Sequence, residues 1–275
     1  MLYEVDKDCI LVQNRSEFNI EHILECGQVF CYGKEDNKYL VFPQDKYAEV
    51  IEYKDGYKIL TKDTDYFIDF FDLNTSYSKI KEELAKQEIM KKPIEFGYGI
   101  RILKQDLFET LISFIISANN NIKRIKLILN NLRKNLSKDG KSFPTYEELL
   151  SCNEEFFKKM GAGYRAGYLY KVLRQVTRED LSAFASLPTK ELRQKLISLS
   201  GVGPKVADCV MLFGYNRFDV FPVDTWIQKM YNMFFSPLDN REKISQNLIE
   251  QFGSLSGYAQ QYLFYYQRSY LGKLD

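Results

Sequence analysis

Residues 199–205 read Leu-Ser-Gly-Val-Gly-Pro-Lys, Val206-Ala207-Asp208-Cys209 follow directly, and Asp224 stands further on in Phe221-Pro222-Val223-Asp224-Thr225-Trp226. Gly201 and Gly203 flank Val202, so the backbone can turn tightly and enter the region where a side chain would clash. Pro204 suits the first turn of a helix, because the N–H it lacks would be unpaired there. A glycine turn that opens a helix leaves free amides pointing outward, and these favour an anion such as phosphate. Lys205 and Cys209 are spaced to share one helix face, with Val206, Val210 and Phe213 on another. Residues 190–199 read as the preceding helix, so the unit over about 190–214 is helix, hairpin, helix. Taken alone, Gly-Val-Gly is more often a plain turn and Lys205 a solvated lysine.

The chain has 275 residues, of which 45% are hydrophobic, enough to bury a substantial core or two domains. No apolar run is long enough to span a bilayer, and the N-terminus Met-Leu-Tyr-Glu-Val-Asp-Lys-Asp is acidic, unlike a signal peptide. A cytoplasmic protein is expected, associated with the nucleoid if bacterial. Five cysteines without a Cys-x-x-Cys pair indicate neither a disulfide framework nor a zinc ribbon. The net charge of +1 hides a division: residues 1–99 hold 13 Lys+Arg against 20 Asp+Glu, and residues 100–275 hold 25 against 17. The positive excess thus lies with the hairpin, as a phosphate-binding face requires.

The first hundred residues read as mostly antiparallel strand: Gln28–Tyr32 with Tyr39–Phe42, then Ala48–Tyr53 with Tyr57–Leu60 around Lys54-Asp55-Gly56. Beyond Asp72 the pattern becomes helical. Leu103, Leu107, Leu111 and Ile115 form an apolar stripe, and a second helix begins near Ile122. Further helices are expected at 146–159, 164–177, 204–214, 225–234, 241–251 and 257–271. Strands first and helices afterwards imply an α+β fold, with an antiparallel β domain over 1–99 and a helical domain over 100–275.

The hairpin, its lysine and its aspartate resemble the helix-hairpin-helix DNA glycosylase superfamily, in which the hairpin grips a DNA phosphate. Lysine at position 205 resembles the bifunctional branch, where this amine attacks the sugar. Four more segments, within about residues 18–268, resemble the 8-oxoguanine DNA glycosylases. In Ser117-Ala118-Asn119-Asn120-Asn121-Ile122-Lys123-Arg124 the residues read locally as a cap and turn. The resemblance implies that Asn119 fills the gap left by the extruded base and that Arg124 contacts the orphaned cytosine, a base-edge contact worth ~1–3 kcal/mol. In Met160 to Tyr168 it makes Tyr164 a wedge at the kink and Arg165 a second contact to the cytosine. In Gly257 to Phe264, Gln260 and Phe264 share a helix face; an amide can read a base edge while a ring stacks on it. Phe264 and Cys209 would sandwich the damaged base. In Cys26-Gly27-Gln28-Val29-Phe30 the carbonyl of Gly27 would accept the N7–H that 8-oxoguanine has and guanine lacks.

The resemblance implies a glycosylase and AP lyase acting as a monomer on double-stranded DNA containing 8-oxoguanine, without a cofactor. Lys205 would attack C1′, Asp224 would stabilise positive charge on the sugar and cap the helix after it, and a Schiff base would permit β-elimination. Family hairpins often hold a structural cation, here on the carbonyls of Ile197, Leu199 and Val202. Gly201 and Gly203 would meet the phosphate, and Trp226 stands where the family often has a phosphate-contacting histidine; it offers an N–H but no cation. The lone histidine, His22, is assigned no catalytic part. An endonuclease-three-like enzyme or an adenine glycosylase would need an iron–sulfur cluster, and no cysteine follows Cys209. A non-catalytic DNA-binding module would explain the glycines but not Lys205, Asp224, Cys209, Gln260 and Phe264 in register.

Overall fold

The computed structural model describes residues 3–271. Strands β1 (Tyr3–Asp6) and β2 (Cys9–Gln13) are followed by helix α1 (Ile20–Glu25), then by β3 (Tyr32–Glu35), β4 (Lys38–Val41), β5 (Ala48–Tyr53) and β6 (Gly56–Leu60). They form one antiparallel sheet in the order β1-β2-β6-β5-β4-β3. Alternate residues face inward, among them Ile10, Val12, Val50 and Ile59, and meet Phe18, Phe67, Phe70 and Phe71 in a core of their own.

Helices α2 (Thr64–Phe70), α3 (Tyr77–Leu84) and α4 (Glu88–Phe96) lead into α5 (Leu107–Ser117) and α6 (Ile122–Leu136). Then come α7 (Tyr146–Leu150), α8 (Glu154–Lys159), α9 (Arg165–Gln175), α10 (Arg178–Phe184), α11 (Thr189–Ile197), α12 (Pro204–Phe213), α13 (Thr225–Phe234), α14 (Arg241–Phe252) and α15 (Ser256–Leu271). Their apolar faces enclose a second core centred on α5 and α12, every residue of α5 from Phe108 to Ile116 being buried. The expected α+β order of an antiparallel sheet followed by helices is what the chain adopts.

Local expectations shift in four places. Residues 28–31 are not strand: Gln28 is fully buried and its side chain bonds backbone outside the sheet, so pairing starts at Tyr32. The strand pair β1–β2 lies ahead of the first strand that the sequence marked; Lys7, at φ 50°, makes its turn without a glycine. Leu103 precedes α5, which Asp106 starts by capping Glu109 N–H at 2.8 Å, and it packs in the sheet core instead. The helix expected over 146–159 is two, each with its own cap: a capping box at Thr145–Glu148 and an Asn153 cap.

Two buried cations tie sheet to helices. Arg101, fully buried, donates to the carbonyls of Phe71 and Glu17 at 3.0 Å and of Thr75 at 2.7 Å, and also to that of Asp72. Arg133 pairs with Glu109 at 2.7 Å, and the other carboxylate oxygen of Glu109 accepts the Gln44 N–H at 2.9 Å. Burial pushes the Glu109 carboxyl up, and Arg133 pulls it down. Among the described residues no helix is long and apolar enough to cross a membrane.

Candidate active site

The hairpin spans residues 198–203 between α11 and α12. Gly201 has φ +80° and a Cβ there would lie 2.6 Å from Cβ of Tyr168, so only glycine fits. Gly203 is different: nothing lies within 4 Å of a Cβ built on it. Its surface is therefore free for close approach from outside, beside the start of α12. Ser200 N–H donates to Gln175 Oε1 at 2.8 Å, which pins the turn to α9. Arg193 of α11 bonds Asp208 of α12 at 2.6 Å and Glu242 of α14 at 3.0 Å, which fixes the helices behind it. Of the three carbonyls expected to suit a cation, that of Leu199 accepts the Val202 N–H at 3.1 Å. A carbonyl has a second lone pair, so this bond leaves Leu199 able to donate to a cation, and carbonyl oxygens are the donor type that a hard cation takes.

In front of the hairpin opens a cleft of about 900 Å³, lined among others by Gly27, Asn119, Gly203, Lys205, Asp224, Trp226 and Phe264. At its floor a recess of only about 40 Å³ is bounded by Gly27, Lys205, Cys209, Asp224, Gln260 and Phe264. Every residue expected to carry chemistry or to touch the base therefore meets at one point, although the chain separates them by up to 237 positions.

Lys205, partly buried in the first turn of α12, holds Nζ 5.2 Å from the centroid of the Phe114 ring. One turn on, burial pushes the Cys209 thiol up to about 11, against the pull of Lys205; it is a neutral, apolar wall at neutral pH. Asp224 caps α13: its Oδ1 accepts the N–H groups of Trp226 and Ile227, both at 2.9 Å, while Oδ2 has no protein donor among the described residues. Gln260 is 5% exposed; its Nε2 donates to Pro222 O at 3.3 Å and its Oε1 is buried without a donor among the described residues. Gly27 follows α1 in a left-handed turn at φ +83°.

The remaining residues stand around the rim. Asn119 is exposed at φ 49°, at the head of the turn between α5 and α6, and Asn121 caps α6. Arg124 is exposed and donates to Gly161 O at 3.3 Å. Tyr164 is 57% exposed, and its hydroxyl donates to Ala118 O at 3.2 Å. Arg165, by contrast, is 3% exposed: its guanidinium donates to Ala118 O at 2.8 Å and to Asn119 O at 2.7 Å. Arg124, Tyr164 and Arg165 do not line the cleft floor. Trp226 does line the cleft, with the Lys229 ammonium 5.1 Å above its ring.

Sequence reasoning passed over Phe114, Arg241 and Arg268, all of which line the cleft. Phe114 lies on a helix buried all round, so no periodicity marked it. Arg241 follows the Asn240 cap, and its Nε donates to Gln228 Oε1 at 2.8 Å. Arg268 lies one turn past Phe264, a spacing that was available to reading.

Two family models cover most of the chain. The 8-oxoguanine DNA glycosylase N-terminal domain matches residues 10–111, and the HhH-GPD superfamily of base excision DNA repair proteins matches residues 112–253. The N-glycosylase/DNA lyase of Saccharomyces cerevisiae is 29% identical, over 86% of this chain and 73% of its own length. The Clostridium acetobutylicum 8-oxoguanine glycosylase/lyase, solved with double-stranded DNA containing cytosine opposite 8-oxoguanine, is 38% identical with a TM-score of 0.91, covering 98% of this chain and 99% of that one. The 3-methyladenine DNA glycosylase of Archaeoglobus fulgidus, at 16% identity and a TM-score of 0.75 over 94% of this chain and 98% of that one, shares the fold. The chain belongs to the 8-oxoguanine DNA glycosylases of the HhH-GPD superfamily.

Proposed function

We propose that this protein is a bifunctional glycosylase and AP lyase that removes 8-oxoguanine from duplex DNA. The observation that carries the reading is the meeting of Lys205 and Asp224 with Gly27, Cys209, Gln260 and Phe264 around one recess. Gln260 supplies a buried acceptor without a donor, and a guanine-type edge presents N–H donors. The carbonyl of Gly27 suits the N7–H of the lesion. Phe264 and the neutral Cys209 suit the two faces of the base.

A recess of about 40 Å³ holds little more than one water, so a purine enters only as Phe264 and its neighbours move. Extrusion costs a few kcal/mol, offset by pocket contacts and the bent-DNA interface. Asn119, exposed at the turn tip, is placed to fill the gap, and Tyr164 to wedge the kink. Gly201 and Gly203 offer the amide-lined turn to a phosphate, Trp226 an indole N–H, and a cation on the Ile197, Leu199 and Val202 carbonyls would add positive charge there. Arg124, exposed and held by a single 3.3 Å bond to the Gly161 carbonyl, can turn to meet the opposite base; Arg165 reaches it only by releasing the Ala118 and Asn119 carbonyls.

The nitrogen lone pair of Lys205 attacks C1′ and the base leaves with the glycosidic electron pair. The free Oδ2 of Asp224 faces the positive charge that grows on the sugar. The C1′–O4′ bond then opens, its electrons going to O4′, and the nitrogen gives up a proton to leave the Schiff base; this makes the C2′ proton acidic, and loss of that proton expels the 3′ phosphate by β-elimination. The division into a 1–99 sheet domain and a 100–275 helical domain, a monomeric state and a cytoplasmic, DNA-associated location complete the reading.

The test is excision from duplexes carrying one 8-oxoguanine opposite each of the four bases. Release is expected, fastest opposite cytosine. Equal rates opposite all four would contradict the part given to Arg124, and no release from any of them would contradict the function.

A further inference from the structure

Helix α15 touches more than the recess. Gln260, Phe264 and Arg268 stand one turn apart on one face, and Gln261 adjoins the first. Gln261 is 1% exposed, and its Nε2 donates to the carbonyl of Cys26 at 2.7 Å. Arg268 Nη2 donates to the carbonyl of Glu25. Both acceptors belong to the end of α1, immediately before Gly27. Immediately after it, Gln28 is locked: its Nε2 donates to Ile23 O at 2.9 Å and Arg101 O at 2.8 Å, its Oε1 accepts Leu103 N–H at 2.9 Å, and its own carbonyl accepts from Gln105 Nε2 at 2.9 Å.

The residues on both sides of Gly27 are thus held by side chains, Cys26 through its carbonyl and Gln28 through its side-chain amide and its carbonyl, while no donor among the described residues reaches the Gly27 carbonyl. The clamp is tight. A Cβ at position 27 would lie 3.0 Å from Arg268 Nη1, a buried atom with no acceptor among the described residues. The guanidinium carbon also sits 5.2 Å from the Phe264 ring centroid, so the cation touches both the carbonyl turn and the stacking ring.

We propose that Gln261 and Arg268 are positioning residues for lesion specificity. From the helix that carries the base-reading Gln260 and Phe264, they fix the direction of the Gly27 carbonyl toward the N7–H of the flipped base. A hydrogen bond that distinguishes one proton depends on angle, and a free glycine turn would not hold it. This rests on the functional reading above.

The consequence separates two reactions of one site. Excision of 8-oxoguanine needs the aimed carbonyl; Schiff-base formation at a preformed abasic site, which has no base, does not. Gln261→Met, close in shape but without the donor, should lower single-turnover excision of 8-oxoguanine about tenfold, the scale of one misdirected hydrogen bond. Borohydride trapping of the same variant on abasic DNA should stay within about twofold of the parent. Arg268→Gln should behave alike and Arg268→Lys should restore part of the loss. Unchanged excision would overturn the assignment, as would a parallel fall in both reactions, which marks loss of fold or of Lys205 geometry. A parent protein that traps on abasic DNA but releases no 8-oxoguanine would instead overturn the functional reading itself.

Discussion

A Cβ placed on Gly27 would stand 2.9 Å from Cε1 of Phe264, inside any normal contact distance, and Gly27 holds φ at +83°. Gly27→Ala therefore meets two obstacles, a left-handed backbone and a ring that must shift. We expect a stability loss of about 1–3 kcal/mol from backbone strain. Excision of 8-oxoguanine should fall on the order of 100-fold, because the stacking ring and the reading carbonyl are displaced together. Thermal unfolding and single-turnover release check the two effects separately.

Asp224 divides its oxygens between structure and chemistry. Oδ1 caps α13, and Oδ2 has no donor among the described residues. Asn keeps the capping oxygen but not the charge, so Asp224→Asn should change stability by only a few tenths of a kcal/mol and slow base release about 100- to 1000-fold. Asp224→Ala should lose activity similarly and destabilise by about 1 kcal/mol more. If Asn and Ala unfold at the same temperature, the division is wrong.

The Glu109–Arg133 pair is buried at the junction of α5, α6 and the Gln44 loop, and Arg133 Nε and Nη1 find no acceptor among the described residues. Removing one partner strands a charge. Arg133→Met alone should destabilise by about 3–5 kcal/mol, and Glu109→Leu with Arg133→Met should recover most of it. Denaturant unfolding of the two variants decides this.

Burial raises the thiols of Cys26 and Cys209 to about 11 from an ordinary 9.0. Between those values the unfolded chain sheds protons that the folded chain keeps. Unfolding is then favoured by ionisation, and stability falls as pH rises from about 9 to about 11. Cys26→Ala with Cys209→Ala should flatten that slope. At neutral pH an alkylating reagent should reach the half-exposed Cys9 well before either buried thiol.

How much of this was legible depended on spacing. Gly201, Pro204, Lys205 and Asp224 lie close in the chain and each obeys a local rule, so the hairpin and the α13 cap could be read directly. Gln260 and Phe264 were readable as a helix face. Gly27 was legible only through the resemblance; Gln261 and Arg268 bond the carbonyls just before its left-handed turn from the far end of the chain, which no local pattern reports. The same holds for Arg165: chemically it is an ideal base-edge donor, but the Ala118 and Asn119 carbonyls engage it. Edge strand β1 was missed because its burial is slight, only Tyr3 being even partly covered.

The central claim is that Lys205 is the nucleophile of an 8-oxoguanine excision reaction. Borohydride added to the protein turning over an 8-oxoguanine:cytosine duplex tests it most directly, with the adduct mapped by peptide mass. A covalent protein–DNA complex attached at Lys205, absent in Lys205→Gln, is expected. An adduct at another amine, or one that persists in Lys205→Gln, would contradict it.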